Sequence, residues 1–317
     1  MRRVQYRSSY FKAIMTMSTT YSAKILLFGE YLLIHGGNAL ALPKQDNNGK
    51  WSFEDPPNQR DLFDFCQHIQ SLQQTNKMAK VIDTATWEKD LKQGLWFDAN
   101  IPEGYGVGSS GALVAAVYDR YVMKGKRQTD TEQLKSIFAV IESYFHGNSS
   151  GFDPLVSYLN QQLLLRSNGQ VQLINQEWSK EHDYQLFLID TGRKRQTAPL
   201  VKKYLRDCED DFFLDRVKSK IIPTSNACIN AFINQKQDLL FQEMKTLSAY
   251  QFQNFKSMIP NEYWALWKEG IEQSEFTLKL CGAGGGGYIL GMGTDAEIKS
   301  LKRKLAIEPL IFHHSLY

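Results

Sequence analysis

Hydrophobic and polar positions alternate between two periods along this chain. Residues 21–43 are almost wholly apolar and punctuated by glycine, and Gly36-Gly37 between two apolar runs is a hairpin signal, so paired strands open the first domain. Residues 46–58 turn polar, with Pro56-Pro57, and read as a loop around a short strand at Trp51-Ser52-Phe53. Residues 60–77 read as a helix, residues 84–92 carry no decisive pattern, and residues 94–101 read as a strand. Residues 112–121 suit a helix, and so do residues 131–144, where Leu134, Ile137, Phe138 and Ile141 share one face. A short helix at 155–159 is followed by a hairpin, 163–166 with 171–174, about Asn168-Gly169. The second half offers a strand at 185–190, helices over 198–270 broken near Pro223 and Pro260, and strands at 275–281 and 288–292. A helix at 295–305 and a last strand at 309–313, which includes His313, close the chain. Strands alternating with helices and closing on strand–strand–helix–strand define an α+β sandwich with helices on one face.

Length and charge narrow this picture. The 317 residues suggest two domains and a sizeable core. A net charge of +3 is too mild for a nucleic-acid partner, though it suits a small anionic substrate. No run of about 18 apolar residues is present, so no transmembrane helix and no membrane partner are expected. Cys66, Cys208, Cys228 and Cys281 are scattered without metal spacing, as reduced thiols of a cytoplasmic protein would be. Residues 1–20 carry Arg2, Arg3, Arg7 and Lys12 but no convincing leader; they read as a loose arm or an over-extended frame, with the working chain starting near Met15 or Met17.

Candidate chemistry concentrates in Gly104-Tyr105-Gly106-Val107-Gly108-Ser109-Ser110-Gly111, between the strand at 94–101 and the helix at 112–121. Strand, glycine-rich turn and helix start form an anion cradle, because glycine lets backbone amides approach and the first helical amides lack internal partners. The serine hydroxyls can add donors or a magnesium ligand. The plainer reading is a tight turn with a serine cap, and the stretch is neither a P-loop nor a dinucleotide fingerprint. Lys24 and Glu30 are charges embedded in apolar sequence, either paired and used or reaching the sheet rim. Glu142 is either functional or a solvated helix residue. Asp153, just after Gly147-Asn148-Ser149-Ser150-Gly151, would serve locally as a cap for the helix at 155–159. Trp87 and Trp96 are candidates for a base pocket, with core packing the commoner fate of such residues. Arg193, Lys194 and Arg195 form a basic loop, and Gly282-Ala283-Gly284-Gly285-Gly286-Gly287 is a second glycine run.

Taken together, residues 24–36, 104–112 and 279–287 resemble, in order and character, the three signature motifs of the GHMP small-molecule kinases, over nearly the whole chain from about residue 21. Within that superfamily the mevalonate kinases are most similar: "KILLFGEYLLIHG", "HGNSSGFDPLVSY" and "KLCGAGGGGYILGM" resemble their motifs. The resemblance implies an N-terminal ATP-binding domain (21–180) with a left-handed βαβ unit and a ferredoxin-like C-terminal domain (181–317), with the active site between them. It implies ATP and Mg2+, Asp153 facing the acceptor hydroxyl with Lys24 beside it, and Ser110 and Glu142 holding magnesium. Glu30, His35 and, through Arg195-Gln196-Thr197, Thr197 fall at substrate-side positions, while Gly282, Gly284, Gly285 and Gly286 support the phosphate loop. The implied reaction is phosphorylation of mevalonate by a cytoplasmic monomer or homodimer. Phosphomevalonate or sugar kinases of the superfamily, and a catalytically silent sensor, are the alternatives. Four departures stand out: Ser22-Ala23 for Pro-Gly, Tyr31 for His, Ser149 for Pro and Gly111 for Ala.

Overall fold

The computed structural model describes residues 19–56, 60–176, 178, 183–272 and 275–310, and only the backbone of His146. The N-terminal arm expected over residues 1–20 therefore lies almost wholly outside the described residues, as does His313 of the last expected strand. The described chain forms two compact units. One holds the chain up to Lys24 with Pro43–Ile101 and Gly108–Asn160; the other holds Ile25–Leu42, Pro102–Val107 and the chain from Gln161 onward.

Strands β1 (Tyr21–Phe28) and β2 (Ala39–Ser52) pass through both units. Their connection is a ten-residue passage with one 3-10 turn, Leu32–His35, rather than a two-residue hairpin at Gly36-Gly37. Gly29, at φ +105°, makes the close approach possible: a Cβ there would lie 2.4 Å from the Asn38 carbonyl oxygen. β2 is one strand of 14 residues where a polar loop was expected. The polar middle is satisfied from outside, since Asn100 accepts from the Asn48 N–H and donates to the Asp46 carbonyl. The strand is also anchored by Trp51, fully buried, whose indole N–H donates to the Ala116 carbonyl.

In the first unit, α1 (Arg60–Gln74) and α2 (Thr84–Lys92) precede β3 (Trp96–Ala99), which pairs antiparallel with β2 from Gly49↔Ala99 to Ser52↔Trp96. The indecisive stretch 84–92 is thus a helix, started by Asp83, which accepts from the Thr86 N–H at 3.1 Å. Trp87 is core, between Phe65 and Tyr121, and Trp96 donates to the Glu54 carbonyl at an exposed position. Helices α3 (Ser109–Tyr121), α4 (Thr131–His146) and α5 (Phe152–Leu159) pack on one another through Tyr118, Phe138 and Tyr158.

In the second unit, β4 (Gln162–Leu165) and β5 (Val171–Ile174) form the expected hairpin, and β4 pairs with the start of β2. β6 (Tyr184–Asp190) then opens an antiparallel sheet of order β7-β8-β6-β9. Between β6 and β7 come α6 (Thr197–Asp207), α7 (Asp211–Arg216), α8 (Ile222–Ile233), α9 (Gln237–Asn254) and α10 (Trp264–Glu272). Pro223 does not break the path. A π turn, Val217–Ile221, leads from α7 into α8, whose first turn tolerates proline because its N–H needs no helical partner. Pro260 does interrupt it, between two 3-10 turns. Strands β7 (Phe276–Leu280) and β8 (Tyr288–Thr294) flank the glycine run, and α11 (Asp295–Leu301) and β9 (Ile307–Pro309) finish the sheet. Among the described residues no helix is long and apolar enough to cross a membrane.

Candidate active site

In the first unit the site is built on two helix starts, the last turns of a third helix and the middle of one strand. α3 begins at Gly108, whose φ of +77° suits glycine and which gives the first helical amides no side-chain cap. A Cβ at Gly108 would meet Lys24 Cγ at 3.0 Å and Asp153 Cβ at 3.8 Å, so these two side chains converge beside the bend. Lys24 Nζ lies 3.0 Å from Asp153 Oδ2; the lysine side chain is buried while the carboxylate keeps 35% of its exposure. Asp153 is not a cap. α5 starts one residue earlier with Gly151 as N-cap at φ +69°, which places Asp153 inside the first turn. Gly151 sits there because the Lys135 carbonyl of α4 would be 2.0 Å from a Cβ. Gly111 answers to packing too: its Cβ would press on the backbone of Asp153 and Pro154 at 3.0 Å.

Glu142 is no solvated residue, being 4% exposed on α4. Ser110 Oγ donates to its Oε1 at 3.1 Å and Ser149 Oγ donates to its Oε2, while Ser149 Oγ also accepts from the Gly151 N–H. Burial, reinforced by the Asp153 carboxylate, raises the Glu142 pKa to about 7 against the opposing pull of the Ser149 and Ser110 hydroxyls and Lys24. A crowded pair of carboxylates with a hydroxyl at hand suits a hard divalent cation. Among the described residues no cluster of three His, Cys, Asp or Glu side chains could hold a metal.

In the second unit, Gly104, Tyr105 and Gly106 form the first part of the bend. The Arg195 N–H donates to the Gly104 carbonyl at 2.7 Å, and its guanidinium donates to the carbonyls of Gly106 at 3.3 Å and Cys281 at 2.7 Å. A Cβ at Gly106 would fall 1.4 Å from that guanidinium. Tyr105 lies edge-on against Tyr288, and Val107 is buried. Glu30 is buried and paired with Lys279, His35 Nε2 lies 3.3 Å from Cys208 Sγ, and Thr197 opens α6 with its side chain exposed. Burial, with Lys218 nearby, lowers the His35 pKa. Gly282 faces the Arg195 guanidinium, Gly284 the Met258 carbonyl, Gly285 Leu200 and Gly286 the Arg193 carbonyl.

Ser149, Lys279 and the backbone-bridging Arg195 have roles that the sequence alone leaves unassigned. Ser149 stood out only as a replacement for proline. Lys279 stood out only as the first residue of the third motif, and a guanidinium bound to carbonyls leaves no pattern in sequence.

Residues 73–161 match the GHMP kinases N-terminal domain family. Most of the chain superposes on solved kinases of this kind. For Streptococcus pneumoniae phosphomevalonate kinase in complex with phosphomevalonate and AMPPNP, the TM-score is 0.65 at 15% identity, covering 92% of this chain and 99% of that one. For L. major mevalonate kinase in complex with R-mevalonate, it is 0.61 at 17% identity, covering 92% and 94%. Residues 73–161 are thus similar to the GHMP kinases N-terminal domain, and the chain has the fold of these solved kinases. In sequence it is similar to the mevalonate kinase of Archaeoglobus fulgidus, 23% identical over an alignment of 289 residues that covers 87% of this chain and 92% of that protein.

Proposed function

We propose that this protein transfers the γ-phosphoryl group of ATP to the 5-hydroxyl of mevalonate, giving 5-phosphomevalonate. The observation that carries the reading is the Lys24–Asp153 pair, 3.0 Å apart, beside the uncapped start of α3. Phosphoryl transfer asks the protein for positioning and charge neutralisation more than for covalent chemistry. Asp153, in the first turn of α5, accepts the acceptor hydroxyl's proton, and Lys24 orients that carboxylate and offsets developing negative charge. The amides from Gly104 to Gly111 cradle the triphosphate. Ser110 and Glu142 supply oxygen ligands for Mg2+, which when bound neutralises phosphate charge. Mevalonate rather than another alcohol is supported by the similarity to a mevalonate kinase over 87% of this chain. The four free thiols support a reducing, cytoplasmic setting.

Phosphomevalonate is the second reading, carried by the exposed Arg193, Lys194 and Lys202. Two of the neighbouring cations are engaged, since Arg193 pairs with Glu262 and Lys203 with Asp207. ADP release measured over mevalonate, phosphomevalonate, homoserine and simple sugars separates these readings, with mevalonate expected to be turned over fastest. Asp153→Asn and Lys24→Met are each expected to lower turnover by about a hundredfold or more, the scale of a lost general base, with little change in melting temperature. Near-wild-type turnover in either variant would overturn the assignment.

A further inference from the structure

The most completely buried ion pair among the described residues plays no part in the chemistry above. Lys279 Nζ lies 2.6 Å from Glu30 Oε1, at 0% and 2% side-chain exposure. The same ammonium donates to the Leu280 carbonyl at 2.5 Å and lies 5.4 Å from the centre of the Phe28 ring. The carboxylate also accepts the Gly282 N–H. Burying two charges contributes little net stability, so such a pair is better understood as fixing one arrangement over others. Here it fixes the entry to the glycine run. The next residue, Tyr31, holds the run at a second point: its hydroxyl donates to the Ala283 carbonyl at 2.6 Å. Tyr31 does so from a left-handed backbone (φ +66°) that an aromatic residue rarely adopts, with its ring stacked on Tyr204.

From that anchored entry, the run reaches the first part of the phosphate bend. Gly285 N–H donates to the Met258 carbonyl and Gly287 N–H to the Arg193 carbonyl, both at 2.7 Å. Gly287 abuts Tyr105, whose carbonyl oxygen would be 2.5 Å from a Cβ there. Arg195 bridges the Cys281 and Gly106 carbonyls. Every link from Glu30 to Gly106 is therefore a hydrogen bond or a glycine-only approach within the second unit.

We infer that Glu30, Lys279 and Tyr31 are positioning residues that set the affinity for nucleotide phosphates by holding the glycine run against residues 104–106, and that Glu30 does not contact the acceptor. The inference rests on the kinase reading, in that it takes this bend to be the nucleotide's phosphate cradle. The experiment titrates the fluorescent probe mant-ADP with Mg2+ against wild type, Glu30→Gln, Tyr31→Phe, Lys279→Met and the double variant Glu30→Gln/Lys279→Met, alongside KM for ATP and for mevalonate and the melting temperature. Glu30→Gln and Tyr31→Phe are expected to weaken mant-ADP about tenfold while leaving the mevalonate KM within about twofold, a split that loss of stability alone does not produce. The double variant, which leaves no orphaned charge, is expected to bind mant-ADP closer to wild type than either of its single variants. A raised mevalonate KM with unchanged mant-ADP affinity would make Glu30 an acceptor ligand and overturn the inference, as would wild-type nucleotide binding throughout. Should the charge-removing variants fail to fold, Glu30→Asp and Tyr31→Phe carry the same comparison, because both keep the buried charges balanced. If the wild type phosphorylates no acceptor, the functional reading fails on its own, and the mant-ADP titration still decides this one.

Discussion

A residue's neighbours, more than its type, decide its role in this protein, and Glu142 shows it most directly. Its carboxyl is raised to about 7 by burial and by Asp153. A carboxyl whose folded pKa lies above its unfolded value of about 4.5 destabilises the fold progressively as pH rises from that value through 7, and the penalty is absent below both. At pH 8 without divalent cation the cost is on the order of 3 kcal/mol. Glu142→Gln is therefore expected to raise the melting temperature at pH 8, to change it little at pH 4.5, and to abolish any further rise on adding Mg2+. Differential scanning at the two pH values reads all three outcomes. Gly106 makes the complementary case, where absence of a side chain is the requirement. Its φ of +68° and the guanidinium of Arg195 overhead leave no room for a methyl group. Gly106→Ala should cost about 1–2 kcal/mol from the left-handed backbone alone, read from a urea midpoint, and should also weaken ATP binding by displacing Arg195. The glycine was legible in the sequence as part of an anion cradle. The guanidinium that makes it obligatory was not, because its partners are carbonyls far along the chain.

Among the secondary-structure elements, those with strong periodicity were the ones the sequence revealed. Helix α4 follows from Leu134, Phe138 and Ile141, and the β4–β5 hairpin from Asn168-Gly169. Elements held by distant groups were hidden. β2 looked broken because Asn47 and Asn48 are poor strand formers, yet Asn100 supplies the hydrogen bonds that keep the strand going. α5 looked as if Asp153 capped it, because a carboxylate after a serine-rich turn commonly does; only the contact of Gly151 with α4 sets the true start. This contact joins the element bearing Glu142 to the one bearing Asp153. Two substitutions separate a helix cap from that junction. Asp130→Ala removes the α4 cap, which accepts from the Gln133 N–H at 2.8 Å, and should cost about 1 kcal/mol with turnover unchanged. Gly151→Ala meets backbone at 2.0 Å and should cost more, by urea denaturation, while also lowering turnover, because it pushes α5 and its carboxylate off α4.

Over the whole molecule, the resemblance to GHMP kinases was legible because three short motifs keep their order, whereas the path of the chain was not. The polypeptide passes from one unit to the other at Lys24–Ile25, Leu42–Pro43, Ile101–Pro102, Val107–Gly108 and Asn160–Gln161. No single cut separates one unit from the other. A fragment starting at Gln161 lacks Ile25–Leu42, and with it one of the two strand partners of β4. Such a fragment is expected to show no cooperative melt, while the full chain shows one; a sharp transition in the fragment would contradict the interlacing.

The Glu30–Lys279 pair has a consequence for how the chain is made. Glu30 leaves the ribosome 249 residues before Lys279, so the acidic group waits through the synthesis of that whole stretch for the cation that lets it enter the interior. The second unit can therefore settle only once β7 has been made, and chains released before β7 would carry a charge that keeps the residues around Glu30 from burying.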